Sequence, residues 1–150
     1  MTFLSELDIQ NILTHCRVIA VVGLSTDSTK ESFLVASYLK RCGYRIVPIN
    51  PNASSILGEK SYSSLNAIPP KLAATIDIVD VFRKSPDVPP VVNQAIELKH
   101  RYEHLCAVWM QRGIVNEVAA EAAIQAGLVV VMDNCIMLTH RASNCSTAKL

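Results

Sequence analysis

Glycine is scarce in this chain, with five in 150 residues. The three-glycine fingerprint of dinucleotide-binding domains, G-x-G-x-x-G, is missing: in the stretch VIAVVGLSTDSTKESF (residues 18–33) Gly23 stands alone. No two of the five cysteines (Cys16, Cys42, Cys106, Cys135 and Cys145) have C-x-x-C spacing, and their number is odd. That argues against a zinc site or a disulfide framework. No apolar run approaches the ~20 residues that span a bilayer. The opening MTFLSELDIQ carries two acids and no basic cluster, so no secretory leader is expected. Neither sign of charge dominates: the formal net charge is +1. Such balance excludes partners held by general electrostatic attraction, nucleic acid or an anionic membrane. The G-x-S-x-G, H-E-x-x-H and P-loop lysine motifs are absent as well. The expected setting is the cytoplasm.

What is present reads as a globular chain. Half the residues are hydrophobic and 18% are charged, too apolar for disorder. The length suits one domain over 1–150, with a core over 10–140 and a loose polar tail over 141–150. Ser5 and Asp8 have capping-box spacing, and Ile9, Ile12, Leu13 and Cys16 follow at helical intervals. The run Val18–Val22 is a strand buried on both faces. A second helix begins between Ser28 and Ser32, with Ser28 and Glu31 at capping-box spacing, and Gly43 stops it. A strand over 44–50 ends at Pro51. A polar loop with Gly58 leads to a helical turn near 63–67, stopped by Pro69 and Pro70.

The pattern then repeats. A strand is expected over 75–82. Ser85-Pro86 opens a helix whose stripe is Val88, Val91, Val92, Ala95 and Ile96. A strand over 104–110 precedes a helix capped by Asn116, with Val118, Ala119, Ala122, Ala123 and Ala126 inward. A fifth strand covers 128–132. Strand and helix alternate five times. The expected fold is α/β: a Rossmann-like, doubly wound sheet of five parallel strands with helices on both faces.

In such a sheet ligands bind outside the carboxyl ends of the strands. That rule selects Gly23, Leu24, Ser25 and Thr26 after the first strand, and Asn50, Pro51 and Asn52 after the second. It selects Phe82 and Arg83 after the third, and Trp109, Met110 and Gln111 after the fourth. Phosphate is drawn to the amide groups at the start of the second helix, with Lys30 adding charge and Ser25, Thr26 or Ser32 a hydroxyl. Each has a plainer reading: Gly23 as a tight turn, Arg83 as a solvated charge, Trp109 as a packing anchor. Asp77 and Asp80 fall in the third strand, where hydrogen-bonded structural acids are expected. Asp133, at the end of the fifth, is expected to accept backbone hydrogen bonds. NAD needs an acid at the end of the second strand for its ribose, and the sequence there is INPN.

The segments VVGLS, GYRIVPINP, ILGEKSYSSL, IDIVDVFR, VWMQRGIVNE and AGLVVVMDNC, in this order and spacing, resemble the small single-domain CoA-binding proteins. These are similar in fold to the amino-terminal CoA-binding domain of the succinyl-CoA synthetase α subunit. The resemblance covers residues 11–140. It implies coenzyme A or an acyl-CoA held across the strand ends, with phosphate on Gly23, Leu24, Ser25 and Thr26 and a basic partner at Lys30. It carries over to Asn50 and Pro51, to Phe82 and Arg83, and to Trp109, Met110 and Gln111. Two positions depart from the family pattern. Glu31 stands where the family has proline, and Asn134 where it has arginine in Met-Asp-Arg-Cys. Cys135, near the pantetheine end, is either a buried thiol or one able to form a mixed disulfide with coenzyme A. The expected function is non-catalytic CoA binding. The alternatives are a nicotinamide-dependent oxidoreductase, an acyl-CoA enzyme, or an interaction module with a degenerate cleft. Oligomeric state is not legible.

Overall fold

The computed structural model describes residues 4–144. Helix α1 (Glu6–His15) opens with the expected capping box between Ser5 and Asp8. It feeds β1 (Val18–Val22), then α2 (Glu31–Arg41) and β2 (Arg45–Ile49). A small antiparallel hairpin, β3 (Ser55–Ile56) and β4 (Glu59–Lys60), follows. A 3-10 turn (Leu65–Ala67) and α3 (Pro70–Ala73) lead to β5 (Ile78–Val81). Helix α4 (Val88–Tyr102), β6 (Ala107–Met110), α5 (Glu117–Gln125), β7 (Val129–Val131) and α6 (Ile136–Asn144) complete the chain.

The five long strands form one parallel sheet in the order β2-β1-β5-β6-β7. This is the Rossmann-like, doubly wound α/β arrangement, with connections leaving to opposite sides of β1. Alternating side chains divide the core into two layers. Ala20, Val22, Val79 and Val81 face one way with Val92 and Ala95 of α4 and Ala119, Ala120 and Ala123 of α5. Ile19, Val21, Ile78 and Trp109 face the other way with Leu13 of α1, Val35 and Leu39 of α2, and Ile136 of α6. β2 is an edge strand, which is why Pro48, lacking an amide hydrogen, is tolerated within it. The segment after β4 covers that edge: Tyr62 N–H donates to the Pro48 carbonyl at 3.0 Å, and Asn50 N–H to the Tyr62 carbonyl at 2.9 Å.

Four local expectations change. Ser28 does not cap α2: Lys30 is the N-cap residue and supplies no side-chain hydrogen bond. The loop ahead of it is instead turned by Asp27, whose Oδ1 accepts from Thr29 N–H at 2.9 Å and Thr29 Oγ1 at 2.7 Å. Pro70 opens α3, since proline suits a helix start. In α5 the inward face is Ala119, Ala120 and Ala123, while Val118 is 81% exposed. A helix this rich in alanine gives the hydrophobic pattern little contrast. The tail expected loose from 141 is helical through Asn144. The rest of it, with Cys145, lies outside the described residues.

Candidate functional site

The strand order reverses between β1 and β5, and that is where a crevice forms at the carboxyl ends. Gly23 follows β1 with φ +85°. A Cβ there would lie 2.2 Å from the Phe82 carbonyl oxygen, so glycine lets the loop after β1 cross directly over the loop after β5. Leu24 drives its side chain wholly into the core. Ser25 N–H donates to Ser32 Oγ at 3.0 Å, which pins the loop onto the first turn of α2. Asn50 braces the loop from the other side: its Nδ2 donates to the Leu24 carbonyl at 2.9 Å and its Oδ1 accepts from Asn52 N–H at 2.8 Å.

These contacts leave the start of α2 open. Among the described residues, the N–H groups of Glu31, Ser32 and Phe33 have no hydrogen-bond partner, and the first helical amide to find one is Leu34, on the Lys30 carbonyl at 3.1 Å. By contrast the first turns of α1 and α5 are capped, by Ser5 and by Asn116. Free amides aligned with the helix dipole make a site for a bound anion. Lys30 and Thr26 are exposed beside them, and Arg83 is half-buried with no ion pair among the described residues. Asp27 adds a negative charge; the hydrogen bonds from Thr29 lower its pKa and keep it ionised.

Glu31 does not stand alone against this anion site. Arg112 Nη2 approaches its Oε1 at 3.9 Å, so the loop after β6 brings a compensating cation. Sequence reasoning missed Arg112, which lies one residue beyond Gln111, where the strand-end selection stopped. Asn134 is also engaged within the chain, its carbonyl accepting from Trp109 Nε1 at 2.8 Å. Asp133 Oδ1 accepts from Gly113 N–H at 2.7 Å, as expected of an acid at that strand end.

The other selected residues are placed less openly. Pro51 is exposed and Phe82 half-buried. Trp109 and Met110 are fully buried, so neither offers exposed surface at the rim. Gln111 is 1% exposed; its Oε1 accepts from Ile136 N–H at 3.1 Å, capping α6, while Nε2 has no partner among the described residues. Cys135 is buried in the layer with Trp109, so the expectation of a mixed disulfide meets no exposed sulfur.

Asp80 lies beneath the rim, between Val21 of β1 and Trp109 of β6. The expected hydrogen bonds are missing: neither carboxylate oxygen has a well-formed partner, and the Val81 N–H offsets burial only weakly. Burial therefore raises its pKa well above the ordinary 3.8. The folded chain keeps a proton that the unfolded chain releases. Stability is then complete below about pH 3.8 and falls as pH climbs toward the folded-state value. Asp80→Asn is expected to flatten that fall and to exceed the parent in stability near about pH 8, each unit of displacement being worth about 1.4 kcal/mol. Urea titrations near about pH 5 and about pH 8 check this; an equal difference at both would rule out an ionisation effect.

A family model described as "CoA binding domain" matches residues 17–141. The Bacillus subtilis (strain 168) protein "Uncharacterized protein YneT" is 38% identical over 136 residues, covering 91% of this chain and 94% of that one. The crystal structure of Prb, a PH1109 protein redesigned for binding, superposes with a TM-score of 0.84 at 34% identity, covering 95% of this chain and 94% of that one. A hypothetical protein from Pyrococcus horikoshii OT3 superposes at 0.83 with 35% identity, covering 93% and 92%. With the match spanning nearly the whole described chain, this protein belongs to the CoA binding domain family.

Proposed function

We propose that the chain binds coenzyme A, free or acylated, along the carboxyl rim of the sheet, as a binding protein without catalysis. The observation that carries this reading is the unfilled first turn of α2, where three free amides lie beside the Gly23 loop and Lys30. A diphosphate supplies the negative charge and acceptor oxygens that such a turn lacks. Lys30 and Arg83 are the cations available for the diphosphate and the 3′-phosphate, and Thr26 an exposed hydroxyl. At the end of β2, Asn50, Pro51 and Asn52 offer no acid to a nicotinamide cofactor's ribose, which favours coenzyme A over NAD. Catalysis has no evident players at the rim. His15 and His100 sit on α1 and α4, His104 pairs with Asp77 at the opposite edge, and His140 of α6 meets Tyr38 of α2.

Thermal unfolding with coenzyme A, acetyl-CoA, NAD and NADP in turn tests the proposal. CoA species alone should stabilise the fold, by about 2.7 kcal/mol at a hundredfold excess over Kd. No shift with any of them removes this reading and leaves the degenerate interaction module. A second experiment tests the assigned cations. Lys30→Ala and Arg83→Ala are each expected to weaken CoA binding about 3- to 10-fold at low salt, with the difference shrinking at high salt. Calorimetric titrations in which both variants match the parent would move the phosphates elsewhere.

A further inference from the structure

Among the described residues, one ion pair crosses the carboxyl rim of the sheet. Arg112, in the turn after β6, places Nη2 3.9 Å from Oε1 of Glu31, the first residue of α2. The strands that lead into these segments are not neighbours, since β5 lies between β1 and β6. The pair therefore links the β1 side of the crevice to the β6 side. The backbone around Arg112 is fixed. Gly113 N–H donates to Asp133 Oδ1 at 2.7 Å, and Ile114 N–H to the Gln111 carbonyl at 2.9 Å. The Gln111 side chain accepts from Ile136 N–H at 3.1 Å. The Arg112 side chain is not fixed: it is 64% exposed, and Glu31 is its one charged or hydrogen-bonding contact among the described residues.

The contact between them is weak. At 3.9 Å it is longer than a hydrogen bond, and Glu31 is 56% exposed as well. Water screens a pair this open, so little is lost when it breaks. A phosphate is the better partner, because two of its oxygens match the planar guanidinium fork. The N–H of Glu31 is also the first of the free amides at the start of α2. An anion held by those amides stands beside Glu31 through the chain itself, and beside the arginine that faces it. Unopposed, the Glu31 carboxylate would repel that anion.

We propose that Arg112 is a diphosphate-binding residue held in reserve by Glu31. In the free chain its guanidinium rests against the Glu31 carboxylate. When the ligand arrives it passes to the diphosphate oxygens, and Glu31 turns to solvent. Glu31 thus sets the affinity by competing for the cation. The inference rests on the coenzyme A reading above and deepens it. It assigns Arg112 to the diphosphate and not to the 3′-phosphate, because the arginine faces the residue that carries the first free amide.

Calorimetric titrations of the full chain with coenzyme A, dephospho-coenzyme A and inorganic pyrophosphate test this. Arg112→Ala is expected to weaken each about 5- to 20-fold at low salt, by the same factor whether or not the 3′-phosphate is present. Glu31→Gln should tighten binding about 2- to 5-fold. Arg112→Ala placed in the Glu31→Gln background should still lose at least about 5-fold. Both side chains are exposed, so the variants are expected to fold as the parent does. Binding of coenzyme A by Arg112→Ala within about twofold of the parent would overturn the proposal. So would a loss that vanishes in the Glu31→Gln background, where Arg112 would merely have shielded the acid. A loss seen with coenzyme A but not with dephospho-coenzyme A would move the arginine to the 3′-phosphate and overturn it too. Each of those results leaves the coenzyme A reading standing. Arg112-dependent binding of pyrophosphate by a chain indifferent to coenzyme A would remove that reading and uphold the arginine. A parent that binds none of these probes removes both.

Discussion

Gly23→Ala is expected to cost about 3–5 kcal/mol, a large share of the stability of a domain this size. Two effects add. An L-residue at φ +85° carries a conformational penalty of about 1–2 kcal/mol. The new methyl would also stand 2.2 Å from the Phe82 carbonyl oxygen, far inside contact distance, and that neighbour is backbone. Either the loop after β1 or the loop after β5 must move. Because that crossing shapes the rim, stabilisation by coenzyme A should disappear as well. Gly113→Ala separates the two effects: φ is +83°, but a methyl there meets nothing within 4 Å. It should cost only about 1 kcal/mol. Urea unfolding of both variants checks the comparison. Equal losses would mean that the Phe82 contact carries no energy and that Gly23 is only a turn residue.

The second large effect is at the single tryptophan. Trp109→Ala should destabilise the chain by about 3–5 kcal/mol, because it empties a fully buried position on an interior strand of the sheet. Trp109→Phe keeps most of the volume but leaves the Asn134 carbonyl without its indole donor, a loss of about 1–3 kcal/mol. The conservative variant also bears on function. With its side chain enclosed, Trp109 should act on the ligand only by holding the loop after β7 in place. Trp109→Phe is therefore expected to bind coenzyme A within about twofold of the parent, an energy difference below about 0.5 kcal/mol. A tenfold loss, measured by calorimetry, would place the indole against the ligand.

The strands and most helices were legible because their signals are local. The β-branched run Val18–Val22 is recognisable at sight, as are the Ser5–Asp8 box and the Asn116 cap. Where two local signals competed, reading from sequence failed. Ser28 and Glu31 had the spacing of a cap, but Asp27 bonds Thr29 and turns the chain first, so the helix starts without one. Helix α6 was missed, no element being read between the fifth strand and the tail. Its burial comes from distant residues, with Tyr38 Oη and His140 Nδ1 meeting at 2.8 Å across 102 positions.

The candidate site divides along the same line. Strand-end logic selected Gly23, Asn50 and Arg83, each directly after a strand stops, and the helix-start argument selected Lys30. It did not foresee that Asn50 is consumed as a brace, that Trp109 and Met110 turn inward, or that Arg112 comes within 3.9 Å of Glu31.

By itself the sequence determined the alternation of elements, the parallel sheet they must form and the strand ends from which the candidate site is built. Hydrophobic period, caps and turn residues act over a few positions and are written in order along the chain. Tertiary structure alone decided which amides stay free and which charges face each other. Those outcomes depend on loops and strand starts far apart in sequence. Only the packed strand order β2-β1-β5-β6-β7 brings them within hydrogen-bonding reach.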